Sequence, residues 1–440
     1  MIETLVIFGA GGDLTGRFLL PAVAALLGAG ELSPDFRLVG SGDQDWDAAD
    51  FAEHVRDRLS AHAQHVEPAA RDSLIAALRY RRADVSVAAE MAAVLDLACA
   101  EAGSGPVVVY LALPTQLMLA AVRGVNVRGL PAGSRIAIEK PFGFDAASAA
   151  DLNSALAGID SSPEQAGVYR VDHILAMTAV QQLPRACFPG TNNPIEWNTG
   201  HIEQIDLLYE ETLALEGRAS FYDRAGALRD VMQNHLLQIL CAVAQPHPCA
   251  DAQTAPAELR ASTLRTVRHL SSADVVTCTR RARYTAGRLS SNGGTDGRRV
   301  PDYTAEHGVE PARNTETFAE VALELDSAQW AQTRFVLRAG KALDAHRRGV
   351  LIHLRSRHDA AAAASAPVWL DIDELIDAGA VSAEALAYER IVRDLLRGGT
   401  TYAVRDDEVE LAWQVFTPVL HAWQTDAVPL GSYPAGSPGP

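Results

Sequence analysis

Thr4-Leu5-Val6-Ile7-Phe8-Gly9-Ala10-Gly11-Gly12-Asp13-Leu14 is the stretch that decides the fold. Thr4 to Phe8 is a short apolar, β-rich run, the pattern of a strand buried on both faces of a parallel sheet. It stops at Gly9, and from about Leu14 to Leu27 apolar residues recur at helical spacing. Phe36–Val39 reads as the next strand, ending at another glycine, Gly40. Strand, glycine turn, helix, strand is a βαβ unit and predicts a parallel sheet. Val107–Leu111 and Ile136–Ile138 extend that sheet, with Ala-rich helices between them, to about residue 175.

The glycines say what the first turn is for. Gly9, Ala10, Gly11 and Gly12 let the backbone approach a pyrophosphate closely, and the helix start at Asp13 and Leu14 presents N–H groups to it. The spacing is not G-x-G-x-x-G: Gly12 follows Gly11 directly, and Leu14 takes the place of the third glycine. By itself such a turn is also found as a purely structural feature; its place in the first βαβ unit points to a dinucleotide. The residue that reads the ribose should follow the second strand, where Val39-Gly40-Ser41-Gly42-Asp43 places a carboxylate. Asp43 would accept from both ribose hydroxyls and repel a 2′-phosphate carrying about −1.5 to −2 charges. That favours NAD over NADP, although Arg17 on the first helix is within reach of a phosphate and Asp43 can also be read as a solvated loop acid.

Beyond residue 175 the pattern changes. His201–Tyr209, Thr317–Leu325, Arg334–Arg338 and Val350–Leu354 read as strands of a mostly antiparallel sheet, and Val231–Val243 as a helix. Ser290–Arg299 and the Ala-rich Ala360–Ala366 read as loops, and Tyr433–Pro440 as a poorly ordered tail. The expected fold is therefore α/β: a Rossmann-type dinucleotide-binding domain over residues 1–175, then an α+β domain over residues 176–440 that carries a large, mostly antiparallel sheet. A length of 440 residues also favours two domains over one.

Bulk composition excludes several function classes. A net charge of −17 and a pI near 5.2 oppose sequence-independent nucleic-acid binding, which needs basic surface, and do not favour anionic membranes. The five cysteines are odd in number and lack C-x-x-C spacing, so they read as thiols in a reducing compartment rather than as a metal or redox site. The opening Met1-Ile2-Glu3 runs straight into a strand, and no apolar run reaches membrane-spanning length; a cytoplasmic location is expected.

A set of ordered motifs makes the reading specific. Val6-Ile7-Phe8-Gly9-Ala10-Gly11-Gly12-Asp13-Leu14-Thr15 is similar to the F-G-A-S-G-D-L-A opening of glucose-6-phosphate dehydrogenases. Tyr110-Leu111-Ala112-Leu113-Pro114 resembles their Y-L-A-L-P-P, and Ile138-Glu139-Lys140-Pro141-Phe142-Gly143 their V-E-K-P-F-G. Tyr169-Arg170-Val171-Asp172-His173 resembles Y-R-I-D-H, the start of the sugar-binding signature. Arg229-Asp230-Val231-Met232-Gln233-Asn234-His235 resembles the segment that carries the family's catalytic histidine. Ala339-Gly340-Lys341-Ala342-Leu343, Tyr388-Glu389-Arg390 and Ala435-Gly436-Ser437 carry the likeness to the end of the chain.

The resemblance implies a hydride transfer without a metal. His235 would be the general base for the C1 hydroxyl of a sugar, with Asp172 on its other ring nitrogen; the product is a 1,5-lactone. Lys140 would hold sugar and cofactor in line, Tyr110 would line the cofactor site, and Glu211 and Asp230 would bind sugar hydroxyls. His173, Met177, Lys341 and His346 fall on the positions that grip the substrate in the family. Homodimers or homotetramers are implied as well.

The chain departs from the pattern where the family holds a phosphate. After Y-R-I-D-H the relatives read Y-L-G-K-E, whereas here the segment is Ile174-Leu175-Ala176-Met177-Thr178. His173 is kept, but Ile174 replaces a tyrosine, Met177 a lysine, and His346 an arginine; Arg347 and Arg348 are adjacent. Two lost charged hydrogen bonds cost roughly 3–6 kcal/mol unless replaced. The region between Arg357 and Tyr388 is short and Ala-rich where relatives have extra strands. The expectation is an NAD-dependent sugar 1-dehydrogenase acting on a hexose with a neutral or modified C6 end. Its rivals are an NADP-using glucose-6-phosphate dehydrogenase, with Arg347 or Arg348 re-forming the phosphate site, and a catalytically inactive nucleotide-binding sensor or scaffold.

Overall fold

The computed structural model describes residues 1–103, 105–159, 167–187, 196–246, 255–291, 294–355, 366–373 and 381–440. They form two compact units, one of Met1–Gly143, Ala147–Thr178 and Asp377–Asp406, the other of Phe144–Ala146, Ala179–Ile376 and Asp407–Pro440. The chain therefore crosses from one unit to the other more than once, and the boundary expected at residue 175 is drawn instead by several segments.

The first unit is built on strands β1 (Thr4–Phe8), β2 (Arg37–Ser41), β3 (Leu78–Tyr80), β4 (Val108–Leu111), β5 (Arg135–Glu139) and β6 (Gly167–Val171). They pair in parallel in the order β6-β5-β4-β1-β2-β3. A two-residue strand, Ala403–Val404, adds antiparallel to β6. All five residues of β1 are buried, as an apolar run flanked by helices on both faces requires. Strand order reverses around β1, which has β2 on one side and β4 on the other; the crevice beyond the carboxyl ends of β1 and β4 is where such sheets bind ligands. One expectation needs correcting. β2 does not end at Gly40 but runs through it to Ser41, because a Cβ there would lie 2.3 Å from the Phe51 ring and only glycine fits.

The second unit carries β7 (Ile202–Glu210), β8 (Thr279–Thr285), β11 (Phe318–Leu323), β12 (Arg334–Gly340), β13 (Arg347–Leu354), β14 (Val368–Asp371) and β16 (Leu430–Pro434), counting the hairpin β9 (Gly287–Ser291) and β10 (Gly294–Val300) and the short β15 (Ala403–Val404) in chain order. The sheet order is β14-β13-β7-β12-β11-β8-β16. The β7–β12 and β8–β16 pairs are parallel and the other four antiparallel, so the sheet is mixed and mostly antiparallel.

Three sequence expectations change in this unit. Ser290–Arg299 is not a loop: its described residues lie mostly in β9 and β10, where Leu289 and Val300 supply the buried contacts that its polar composition hides. Tyr433–Pro440 is not a loose tail, since Tyr433 is 1% exposed within β16. The stretch before Tyr388 keeps a strand, β14, paired with β13. Ala360–Ala366 lies outside the described residues apart from its last. Among the described residues no helix is long and apolar enough to cross a membrane.

Candidate functional site

In the first unit, Gly9 turns the chain out of β1 at φ +85°, and a Cβ on it would sit 2.2 Å from the carbonyl oxygen of Ala112. Glycine is thus required both by conformation and by the approach of the strand end that follows β4. The Gly9 and Ala10 N–H groups donate to Ser41, and Thr15 Oγ1 donates to the Gly9 carbonyl, which fixes the turn before the helix starts. Its first turns, Thr15–Leu19, are π-helical before Leu20–Gly28 continues as α-helix. Gly11, Gly12, Asp13 and Leu14 lead into this helix N-terminus, where a pyrophosphate would fit, with the Gly12 N–H turned back onto the Gly9 carbonyl at 3.0 Å and Gln44 and Trp46 beside Gly11. Asp13 is exposed and bonded by Arg17 and Arg58, both at 3.3 Å.

Asp43 is exposed in the loop after β2, where its carboxylate accepts from the Gln44 amide at 2.5 Å and its carbonyl from Arg82 at 3.0 Å. Trp46 lies close to Gly11 and stacks among His54, Phe51 and Tyr80. Neither this aromatic group nor Arg82 stood out in the sequence, since they are separate in the chain and meet only where the loops after β2 and β3 converge.

At the ends of β5 and β6 a second group forms. Lys140 follows β5 and precedes a cis peptide to Pro141. Asp172, 1% exposed, follows β6 and accepts from the Ile174 N–H, capping the 3-10 turn His173–Ala176. Ile174 and Met177 are buried at 1% and 3%. Tyr110, expected at the cofactor, is fully buried, and its hydroxyl instead donates to Glu139 at 2.5 Å. The cause is strand alternation, which points the side chain into the sheet's packed face. Tyr388 donates to the same carboxyl and stacks on the His173 ring at 5.5 Å and the Phe18 ring at 5.0 Å. Burial pushes the Glu139 carboxyl up to about 7 against the pull of these hydroxyls and of Lys140. Arg390 donates to the Ala176 carbonyl at 2.7 Å and pins the same turn. The Tyr388-Glu389-Arg390 motif was visible in the sequence; its work beneath Asp172 and His173 was not.

The second unit gathers its own set. Gly226, at φ +68°, kinks the chain within Ala219–Ala227; a Cβ there would meet the Glu316 carboxylate at 2.3 Å. Glu316 accepts from the Leu228 N–H at the next helix start, a favourable place for a carboxylate. His235 lies in the π-helical stretch Leu228–Leu236, which continues as Leu237–Ala244, so the single α-helix expected over Val231–Val243 is wound differently around the histidine. The His235 ring, 2% exposed, faces the Tyr209 ring at 6.0 Å. Glu211 follows β7 and accepts from Lys341 at 2.6 Å and from Arg348 at 3.2 Å. Burial raises that carboxyl, but the two cations outweigh it and hold it below its ordinary value. Asp230 is half-buried near Glu211 and Tyr222. The Arg348 guanidinium lies over the Tyr209 ring at 4.4 Å, while Arg347 pairs with Glu210. His346 bonds Asp373 at 2.8 Å, so a carboxylate stands beside the position where the family has an arginine. Glu211, Lys341, Asp230 and His235 are therefore on one end of one unit, and Asp172, His173 and Lys140 on strand ends of the other.

Residues 6–182 match the model for the glucose-6-phosphate dehydrogenase NAD-binding domain, and residues 192–376 and 363–440 that for the C-terminal domain. The chain belongs to the glucose-6-phosphate dehydrogenase family. It is 32% identical over 469 residues to glucose-6-phosphate 1-dehydrogenase of Gluconobacter oxydans, covering 99% of this chain and 94% of that one. It is 31% identical over 480 residues to glucose-6-phosphate 1-dehydrogenase 2 of Mycobacterium tuberculosis, covering 99% and 91%. Among solved structures, a glucose-6-phosphate dehydrogenase in complex with glucose 6-phosphate is similar at 25% identity and TM-score 0.81, covering 100% of this chain and 95% of the other. The Mycobacterium avium glucose-6-phosphate 1-dehydrogenase is similar at 27% identity and TM-score 0.78, covering 100% and 95%. This is a glucose-6-phosphate-dehydrogenase-like oxidoreductase with a nicotinamide-dinucleotide-binding domain.

Proposed function

We propose that the chain is a hexose 1-dehydrogenase that favours NAD and a sugar whose C6 end carries no phosphate. Gly9–Leu14 hold the pyrophosphate and Asp43 the adenosine ribose; the bound nicotinamide supplies a hydride acceptor. His235 takes the proton of the C1 hydroxyl. Asp172 orients the imidazole and stabilises its charged form. Glu211 and Asp230 accept from sugar hydroxyls, with Lys341 and Lys140 holding the ring in line. The hydride leaves C1 as the proton reaches His235, and the pyranose becomes a 1,5-lactone. Orientation of this kind supplies about 7–11 kcal/mol in the best model systems. The reading includes a cytoplasmic homodimer or homotetramer that binds neither nucleic acid nor membrane.

The substrate half of the reading is carried by the replacement of a tyrosine and a lysine by buried Ile174 and Met177. A phosphate beside apolar side chains loses water without gaining partners. Met177→Lys should lower the KM for glucose 6-phosphate by about tenfold, as one charged hydrogen bond would; an unchanged KM for glucose 6-phosphate in a folded variant would remove this position from phosphate discrimination. A second reading, glucose 6-phosphate itself, is favoured by Arg348, whose guanidinium lies on Tyr209 beside Glu211. Arg348→Ala would then raise the KM for the phosphorylated sugar by at least about tenfold more than that for glucose, the worth of one charged hydrogen bond.

A further inference from the structure

Lys341 follows β12 in a turn whose next residue, Ala342, is fully buried and held at φ +54°, a conformation that favours glycine. Such a backbone persists only where its surroundings over-determine it. Ala342 N–H donates to Leu213 at 2.8 Å, and Leu343 N–H donates to the Glu211 carbonyl at 3.0 Å, which ties the turn to the end of β7. The other side of the turn is closed by the C-terminal segment. Gly436 N–H donates to the Ala342 carbonyl at 2.7 Å, and Asp344 N–H to Ser437 at 2.9 Å. The Tyr433 hydroxyl donates to the Lys341 carbonyl at 2.7 Å and shares a hydrogen with Thr317 Oγ1 at 2.8 Å. Thr317 Oγ1 in turn accepts from the Tyr284 N–H, and the Thr317 carbonyl from the Lys341 N–H, both at 2.9 Å. The result is a chain of buried donors and acceptors that ends on the Lys341 backbone, and such chains strengthen one another. Gly436 sits at φ +84°, and a Cβ on it would lie 1.9 Å from the Arg288 carbonyl oxygen, so the tail is clamped from behind by β9. Tyr433, Ala435, Ala342 and Leu343 share one apolar cluster with Tyr222, whose ring lies 5.2 Å from the Lys341 ammonium.

We propose that β16 and its tail, through Tyr433 and Gly436, are the positioning element that holds Lys341 against Glu211 at the sugar-binding end of the second unit. Neither residue touches the sugar; both act through the Lys341 turn. The inference rests on the reading that Lys341 binds the sugar.

The test uses the full chain with glucose and with glucose 6-phosphate. Tyr433→Phe keeps the ring and removes one hydroxyl. Its sugar KM should rise about three- to tenfold, the worth of one buried hydrogen bond, while kcat and the dinucleotide KM stay within about twofold. Amide exchange at Ala342 and Leu343 should quicken in the same variant. Thr317→Val, which keeps the Thr317 carbonyl bond to the Lys341 N–H but removes the acceptor of the Tyr284 N–H along with the partner of Tyr433, should shift sugar KM in the same direction and serves as a second variant. An unchanged sugar KM, or a dinucleotide KM that rises equally, overturns the inference. Lys341→Gln separates the two layers. If it raises sugar KM and Tyr433→Phe does not, only the positioning role fails; if Lys341→Gln leaves sugar KM unchanged, the sugar-binding reading fails and the positioning role with it.

Discussion

His235 sits in a run, Val231–Leu240, in which every residue is buried, so burial alone makes it look like core. Its place in the family motif, in a helix that is π-wound at that point, is what makes it the candidate base. His235→Asn should lower kcat by about two to four powers of ten, the usual worth of a general base, and leave dinucleotide affinity within a few-fold. Turnover near that of the unchanged chain, by steady-state reduction of the nucleotide, would take His235 out of the mechanism. Asp43 is judged the same way. Its exposed carboxylate has one amide partner, Gln44, and Arg82 lies on its carbonyl, so the loop already holds a cation close by. Asp43→Arg should move the kcat/KM ratio of NAD to NADP toward NADP by at least about tenfold, a swing of some 1.4 kcal/mol; an unmoved ratio would mean that the side chain points away from the ribose. Both residues stand out as candidates in the sequence because motif and position after a strand mark them. Tyr110 was misplaced because a motif gives no direction for a side chain, and the strand's alternation turns it onto Glu139.

At the scale of elements, the regular parts of the fold were readable wherever burial imposes a period. β1, β4 and β5 are apolar runs between glycine- or proline-bearing turns, and they lie where the run lies. Polar hairpins and tails escaped. β9 and β10 hold Gly, Ser, Arg and Asp with few apolar residues, and β16 ends in a Pro- and Gly-rich segment. β9 and β10 pair with each other and are tied to the C-terminal segment through the Arg288 N–H and the Ala435 carbonyl, and β16 pairs with the distant β8; none of this is encoded in short-range apolar pattern. The π-helical windings at Thr15–Leu19 and Leu228–Leu236 likewise leave no mark in hydrophobic spacing. Gly9 is an element-level position with much to lose: left-handed φ and a carbonyl 2.2 Å from any added Cβ. Gly9→Ala should cost about 1–3 kcal/mol of stability and weaken dinucleotide binding at least tenfold by titration of intrinsic fluorescence. Equal affinity in the variant would show that the turn is not the phosphate cradle.

For the whole molecule, the family follows from matches across both units, and the proposed task rests on what has changed within it. A net charge of −17 leaves the surface unsuited to polyanions, while single cations are kept where small anionic or polar groups would be bound: Arg17, Arg58 and Arg82 in the first unit, Lys341 and Arg348 in the second. Most of these cations are answered by carboxylates: Asp13 is bonded by Arg17 and Arg58, and Glu211 by Lys341 and Arg348. The most direct measurement is kcat/KM for glucose and for glucose 6-phosphate, each with NAD and with NADP, read as reduced nicotinamide. The account predicts the highest value for the unphosphorylated sugar with NAD. A highest value for glucose 6-phosphate with NADP, by about tenfold or more over every other pair, would contradict it.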